Sequence, residues 1–139
     1  MAKDSDIKVF TRRSLHELSK NNKQLKDIIK DFKAYKEGYK VKSFGRDAPF
    51  HRPKPAAELA ELMHVHLMNH PKSKILTAAK ITDPYYLTSD SFLIYSKGFF
   101  NPKYYYIIDY LEKEAHSKVE DMDYMRWLIK QAESFRKTK

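Results

Sequence analysis

Apolar side chains between Leu25 and Tyr35 recur at spacings of three and four residues, which is typical of a helix with one buried face. Asn21 or Asn22 can cap the start of this helix, and Gly38 can close its end. A second stripe with the same spacing runs from Val119 to Phe135 and predicts a C-terminal helix, with acidic residues at its start and basic residues at its end. Leu15 and Leu18 indicate a shorter helical segment near the N-terminus.

Four shorter apolar runs predict strands. They are Ile7–Phe10, Met63–Leu67, Phe92–Tyr95 and Tyr104–Ile108. The first is a possible edge strand, and alternation in the second places His64 and His66 on one face. The last two are joined by Gly98 and the Asn101-Pro102 pair. The final run is apolar at consecutive positions, which favours a strand with both faces covered, as in the middle of a sheet.

The remaining segments predict connections. Three prolines and a glycine in residues 44–55 favour an extended connector or loop. Residues 56–62 fit a short helix, and residues 82–84 fit a turn that is followed by two packing tyrosines, Tyr85 and Tyr86. The order of elements predicts an α+β fold. We expect one compact domain over residues 1–139, with N-terminal helices and a C-terminal helix packed on a small antiparallel sheet.

Composition and charge narrow the class of protein. The chain has 139 residues and no cysteine, which excludes disulfides and thiolate zinc sites. Residues 1–55 hold 15 Lys and Arg against 7 Asp and Glu, whereas residues 56–139 hold 12 against 11. This basic half predicts a polyanionic partner, either nucleic acid or an acidic protein segment, although lysines can also serve solubility alone. Without a signal peptide or a membrane-length apolar run, we expect a cytoplasmic protein.

Candidate chemistry rests on six histidines, because the chain lacks a Gly-rich phosphate loop, a His-Glu-x-x-His zinc motif and a nucleophile elbow. A basic protein with several histidines and no cofactor motif suits RNA cleavage by the RNA's own 2′-hydroxyl. That reaction needs a base, an acid and a cation near the phosphate. Histidine can fill either proton-transfer role near neutral pH, and arginine can bind the phosphate.

Several segments also carry a resemblance to a known family, in order along nearly the whole chain. They are Ile7–Phe10, Phe44-Gly45-Arg46-Asp47-Ala48, His64-Val65-His66-Leu67, Leu93–Tyr95, Gly98, Phe100, His116 and Ala132–Arg136. On these residues the chain resembles the YafO family of bacterial toxins from type II toxin–antitoxin pairs. The layout is also similar to the wider RelE/YoeB toxin fold. There a strand of the type Arg-Leu-Ile-Tyr leads through a hairpin to a last strand and a histidine. Phe92 replaces that arginine here, so the phosphate-binding cation must come from elsewhere.

The resemblance implies an mRNA interferase that cleaves messages on the translating ribosome and is silenced by a cognate antitoxin. We expect no metal and no cofactor, and an antitoxin that is acidic or carries an acidic segment. The predicted catalytic set comprises His64, His66 and His116 for proton transfer, Arg46 for the phosphate and Asp47 to orient one of them. The predicted RNA-binding set comprises Lys26, Lys30, Lys33, Lys40, Lys42, His51 and Arg52.

Each candidate has a structural alternative. Arg46 and Asp47 can form a local ion pair or a turn. His64 and His66 can be half-buried sheet residues or a metal site, and His116 can cap a strand or helix. The lysines between residues 23 and 36 can form a solvated face. Two other functions remain open: a non-catalytic RNA- or ribosome-binding translation blocker, and a toxin of RelE fold with another target such as gyrase.

Overall fold

The computed structural model describes residues 5–68 and 83–139, and this part of the chain alternates short helices with strands. The elements are β1 (Lys8–Thr11), α1 (Arg13–Ser19), α2 (Lys23–Glu37), β2 (Phe44–Pro49), α3 (Ala56–Leu59), β3 (Met63–Leu67), a 3₁₀ turn (Pro84–Tyr86), β4 (Phe92–Lys97), β5 (Tyr104–Leu111), α4 (Ala115–Val119) and α5 (Met122–Arg136). His70 lies outside the described residues.

The strands form one sheet in the order β1-β5-β4-β3-β2. The pairings of β2 with β3, β3 with β4 and β4 with β5 are antiparallel, as predicted, whereas β1 runs parallel to β5. A long connection joins β1 to β5, so no tight turn forces these two strands to run in opposite directions. The sheet is therefore mixed, and the α+β class is confirmed.

Side chains alternate between two cores on opposite faces of the sheet. Leu93 and Tyr95 of β4 pack with α1 and α2 on one face, which we call the α2 face. Phe92 and Ile94 of the same strand pack with α3, α4 and α5 on the other face, which we call the histidine face. Every residue of β4 except Lys97 is buried. The strand buried in the middle of the sheet is thus β4, and the strand predicted for that place, β5, lies between β4 and the edge strand β1.

Helix ends follow the predicted signals. The Asn22 side chain accepts a hydrogen bond of 3.1 Å from the backbone N–H of Leu25 and so caps α2. Gly38 ends the same helix at φ 108°, a conformation that glycine adopts without strain. The Asp121 carboxylate caps α5 by accepting from the backbone N–H groups of Asp123 and Tyr124.

Two local predictions were wrong. Residues 44–49, predicted as a connector, form the edge strand β2. Position 45 requires a glycine, because a Cβ there would clash with the Leu87 carbonyl. Pro49 is tolerated because β2 is an edge strand, where a missing N–H costs no ladder hydrogen bond. Tyr85 and Tyr86, predicted to pack, are 56% and 64% exposed.

No helix within residues 5–68 and 83–139 combines the length and the apolar character required to cross a membrane.

Candidate functional site

An open cavity of about 680 Å³ lies on the histidine face of the sheet, beside strands β2 and β3. It contains six of the predicted site residues: Arg46, His51, Arg52, His64, His66 and His116. Its other lining residues are Ala48, Pro49, Phe50, Tyr85, Thr88, Phe92, Val119, Glu120, Met122 and Met125. Residues that are far apart in the sequence thus meet in one pocket, which proton transfer by His64, His66 and His116 together would require.

The three predicted catalytic imidazoles surround the Phe92 ring. The centroids of the His64 and His66 rings each lie 4.7 Å from the Phe92 centroid, and that of His116 lies 5.0 Å away. The His66 centroid lies 5.5 Å from that of His64 and 5.9 Å from that of His116. Phe92 therefore forms an apolar base beneath the three imidazoles. Two arginines in the lining, Arg46 and Arg52, give the pocket its positive charge.

His116 lies at the rim, on α4, with 62% of its side chain exposed. Its Nδ1 and its backbone N each lie 2.8 Å from the same oxygen, Oδ1 of Asp90. The hydrogen bond from the His116 backbone N–H is the main reason that the pKa of Asp90 is below its usual value, so this carboxyl is ionised at neutral pH. An ionised carboxylate only accepts hydrogen bonds, which places the imidazole proton on Nδ1 and leaves the Nε2 lone pair for proton transfer.

Asp90 also fixes the helix that carries His116. Its carbonyl oxygen accepts a hydrogen bond of 3.1 Å from the Ala115 N–H, beside the two bonds to His116. Glu114, just before the helix, has φ 54°, in the left-handed region that a non-glycine residue rarely adopts. The turn that brings His116 to the pocket is thus strained at Glu114. The hydrogen bonds to Asp90, two residues before β4, hold it in this conformation.

His66 lies deeper and is 3% exposed. Its Nδ1 lies 2.8 Å from the backbone N of Ser89 and 3.0 Å from the carbonyl oxygen of the same residue, so it can accept from the N–H or donate to the carbonyl. Burial lowers the pKa of His66 to about 4, even though its contact with the Ser89 backbone favours the charged form. At neutral pH this ring is uncharged.

His64 is held between aromatic rings. Its imidazole stacks on Phe50, with centroids 4.1 Å apart and planes 17° apart, and its Nδ1 is buried without a hydrogen-bond partner among the described residues. Burial and the neighbouring His66 lower its pKa to about 4. The structural alternative was a pair of half-buried, hydrogen-bonded sheet residues. His64 is partly buried but its Nδ1 is without a partner among the described residues, and His66 is hydrogen-bonded but almost fully buried.

Arg46 reaches the pocket because of an irregularity in β2. A β-bulge between Phe44 and Asp47 shifts the alternation of this strand, so Arg46 and Ala48 line the pocket. The Arg46 Nε donates to the Tyr85 carbonyl at 2.7 Å, and its guanidinium lies 4.1 Å from the centroid of the Tyr85 ring. The hydrogen bond to the carbonyl and the contact with the ring together orient the guanidinium.

Asp47, the neighbour of Arg46, points to the α2 face. It accepts hydrogen bonds of 2.7 Å from each hydroxyl of Tyr35 and Tyr95, and its carboxylate lies 3.4 Å from the Lys36 ammonium. Lys36 also donates to the Tyr95 hydroxyl at 2.8 Å. These contacts hold Asp47 away from the pocket, so its predicted role of orienting a pocket residue has no contact to support it.

The predicted RNA-binding residues fall into separate places. His51 and Arg52 are exposed residues of the pocket lining, and the His51 Nδ1 lies 3.4 Å from a Glu58 carboxylate oxygen. Lys26, Lys30 and Lys33 are exposed on α2, on the opposite side of the sheet, and Lys40 and Lys42 follow that helix. The α2 lysines therefore do not share a surface with the pocket.

Sequence reasoning missed two lining residues, Tyr85 and Glu120, and also Asp90, the partner of His116. Asp90 precedes a strand between two serines, and nothing in that local sequence indicates that it meets a histidine 26 positions later. Glu120 lies four residues after His116, at a spacing that places both on one side of a helix, and this signal was available. In the described part of the chain, no three His, Asp or Glu residues are grouped so that they could hold a metal ion.

Comparisons with known proteins identify the family. No curated protein and no solved structure matches the chain. A family model described as "Toxin YafO, type II toxin-antitoxin system" matches residues 30–137, which include every residue of the pocket lining. The chain therefore belongs to the YafO family of toxins of type II toxin–antitoxin systems.

Proposed function

We propose that this toxin is an mRNA interferase, an endoribonuclease that cleaves messenger RNA on the ribosome by attack of a 2′-hydroxyl on the adjacent phosphate. The observation that carries the proposal is the pairing of Asp90 with His116 at the rim of a pocket that also holds two arginines. Family membership supplies the toxin role and a cognate antitoxin as partner. The reaction is inferred from the pocket.

His116 is the proton-transfer residue of this proposal. Its Nε2 accepts the proton of the 2′-hydroxyl as the 2′-oxygen attacks phosphorus. The bond between phosphorus and the 5′-oxygen breaks, and the 5′-oxygen takes a proton from water at the open rim of the pocket. The Nδ1–H remains hydrogen-bonded to Asp90, whose negative charge stabilises the imidazolium that forms. Exposure at the rim allows the ring to meet a strand of RNA that crosses the pocket.

Arg46 and Arg52 supply the positive charge at the phosphate. In the transition state negative charge increases on the non-bridging phosphate oxygens, and guanidinium N–H groups bind such oxygens well. Arg46 is already oriented by Tyr85, so little side-chain freedom is lost when it binds. In this proposal Arg46 and Arg52 replace the strand arginine that the RelE/YoeB fold has at the position of Phe92.

The strand histidines take a different role from His116. With pKa values of about 4, His64 and His66 are uncharged at neutral pH and hold no proton to release as imidazolium. In the neutral tautomer that carries its proton on Nε2, His66 can donate a hydrogen bond to a phosphate or ribose oxygen. A ring with so low a pKa is also a weak base, so we assign proton transfer to His116 and not to the strand histidines.

Primer extension on message from cells that briefly express the toxin tests the proposal. The native chain should produce discrete new 5′ ends, and His116→Ala should remove them. His16→Ala is the matched control, because His16 is an exposed histidine on α1, the other side of the sheet. Ends that persist in His116→Ala would remove His116 from the mechanism. Intact message with arrested protein synthesis would favour a translation blocker, and DNA-damage signalling would favour a gyrase-directed toxin.

A sulfur-substituted RNA identifies which proton His116 transfers. Replacing the bridging 5′-oxygen by sulfur makes a leaving group that needs no general acid. If His116 is the base, as proposed, His116→Ala stays slow on this RNA. Recovery of the rate on this RNA would assign His116 as the acid instead.

A further inference from the structure

Tyr85 is an exposed aromatic residue in the wall of the pocket, and neither the family assignment nor the proton-transfer mechanism explains it. More than half of its surface is open to solvent. It was predicted to pack in the core, so its exposure is unexpected. An exposed aromatic ring in a basic pocket is the arrangement by which proteins stack on bases of single-stranded nucleic acid.

Hydrogen bonds hold the backbone of the turn that carries Tyr85. Its backbone N–H donates to the Asp83 carboxylate at 3.0 Å, and the Leu87 N–H donates to the Pro84 carbonyl at 2.9 Å, which closes the 3₁₀ turn. The Leu87 carbonyl then accepts from the Arg46 backbone N–H at 2.8 Å. The turn is therefore fastened to β2, and the backbone of Tyr85 is fixed relative to the pocket.

Arg46 and Tyr85 form one unit. The guanidinium lies 4.1 Å from the ring centroid and donates to the carbonyl of the same tyrosine. A cation against an aromatic ring is stabilising, and it fixes the orientation of both groups. A nucleotide that places its base on the exposed part of the ring has its phosphate close to a guanidinium that is already positioned.

We propose that Tyr85 is a base-binding residue, on which one unpaired base of the RNA stacks next to the phosphate bound by Arg46. This inference rests on the proposed function in taking RNA as substrate, and it adds the subsite that fixes which nucleotide enters the pocket. Stacking is tolerant of base identity, so Tyr85 determines position along the strand more than sequence.

Binding of a short single-stranded RNA that carries 2′-fluoro groups tests the subsite without cleavage, because the nucleophile is absent. Tyr85→Ala should weaken binding on the order of 10- to 100-fold, the range measured for loss of one stacked base. Tyr85→Phe keeps the ring and should bind like the native chain. Tyr39→Ala is the matched control: Tyr39 is 50% exposed and does not line the pocket.

Removing single bases from the RNA separates stacking from an indirect effect on Arg46. At one position, an abasic nucleotide should weaken native binding and should make native and Tyr85→Ala bind alike, because each change removes the same contact. If Tyr85 acted only by orienting Arg46, its substitution would cost the same on every abasic RNA, and the inference would be wrong. Equal binding by native and Tyr85→Ala proteins on the unmodified RNA, or no native binding up to millimolar RNA, would also overturn it.

The two proposals fail separately. Discrete cleavage by His116→Ala contradicts the catalytic assignment and leaves the binding results intact. A Tyr85→Ala chain that binds RNA normally contradicts the base subsite and leaves cleavage by the native chain unaffected.

Discussion

Two polar clusters lie on opposite faces of the same sheet, and they differ in how their polar groups are satisfied. On the α2 face, the Asp47 carboxylate accepts from two tyrosine hydroxyls and contacts Lys36, and the ammonium of Lys36 lies 4.6 Å from the Tyr95 ring centroid. On the histidine face, His116 directs one nitrogen to Asp90 and has most of its side chain in solvent.

This difference separates structural polar groups from reactive ones. Burial raises the pKa of Tyr35 and of Tyr95, with Asp47 adding to the effect, and burial lowers that of Lys36 although Asp47 opposes the change. Such a closed cluster keeps strand β2 in place and leaves no group for a substrate. The open cluster offers donors and a proton acceptor at the surface. Arg46 and Asp47 are adjacent in the sequence, but Arg46 belongs to the open cluster and Asp47 to the closed one.

The largest effect is expected at the open cluster. His116→Ala should lower the cleavage rate by about 10²- to 10⁴-fold, the usual contribution of a general acid or base. Asp90→Asn should lower it by a smaller factor, because the tautomer and orientation of the ring are then lost. The double variant should be no slower than His116→Ala alone, since Asp90 acts through His116. Additive losses would contradict the pairing.

The closed cluster should control stability instead. Asp47→Ala leaves two tyrosine hydroxyls without their acceptor and the partly buried Lys36 ammonium without its carboxylate, and we expect the free energy of unfolding to fall by about 3–5 kcal/mol. Tyr35→Phe removes one donor and should cost only about 1 kcal/mol. Urea unfolding measures both. If folded Asp47→Ala protein lost cleavage as completely as His116→Ala, the division between the clusters would be wrong.

Acid should destabilise the protein through its strand histidines. An unfolded histidine binds its proton below a pKa of 6.5, whereas His64 and His66 bind theirs only below about 4. Between these values the unfolded state holds more protons, so stability is full above pH 6.5 and is lost as pH falls toward 4. Each ring contributes at most about 3 kcal/mol.

His64→Phe sharpens this prediction. Phenylalanine can keep the stack on Phe50 and has no polar nitrogen to bury, so stability at pH 7 should stay within about 1 kcal/mol of the native value. The change in unfolding free energy between pH 6.5 and 4, measured by urea titration at each pH, should become smaller. An unchanged pH dependence would show that His64 titrates normally in the folded chain.

The smallest effect is expected from the α2 lysines. Replacing Lys26, Lys30 and Lys33 together by glutamate should leave binding of a short RNA within about twofold of native, because these residues lie across the sheet from the pocket and exposed substitutions have small effects. Arg52→Glu, in the pocket lining, is the comparison and should bind more weakly. Ribosome association should still fall with the lysine charges and with rising salt if α2 docks on ribosomal RNA.

Periodicity was sufficient for α2, α5 and β3, because burial of one face dictates the spacing of their apolar residues. It did not predict α4, the short helix that carries His116 and ends at Val119. It failed at β2, where the glycine and proline that normally mark a loop are accommodated by a bulge and an edge position. The same bulge decides that Arg46 enters the pocket and Asp47 does not. No local pattern shows on which side of a bulge a side chain lies.

The histidines of the pocket were predicted, but their different roles were not. Alternation placed His64 and His66 on one face, yet their burial under Phe50 and Phe92 depends on contacts made by distant elements. Asp90 could not be predicted, because its partner lies beyond the β4–β5 hairpin. Exposure of Tyr85 was missed since an aromatic residue near a strand ordinarily packs inside.

The chemistry of the fragment ends tests the central claim most directly. Attack by the 2′-hydroxyl with His116 as the proton-transfer residue leaves a 2′,3′-cyclic phosphate or its 3′-phosphate product on one fragment and a 5′-hydroxyl on the other. We predict these ends on ribosome-bound message treated with the native toxin, and their loss with His116→Ala. Fragments that carry a 3′-hydroxyl and a 5′-phosphate would contradict the account, because water and not the RNA would then be the nucleophile.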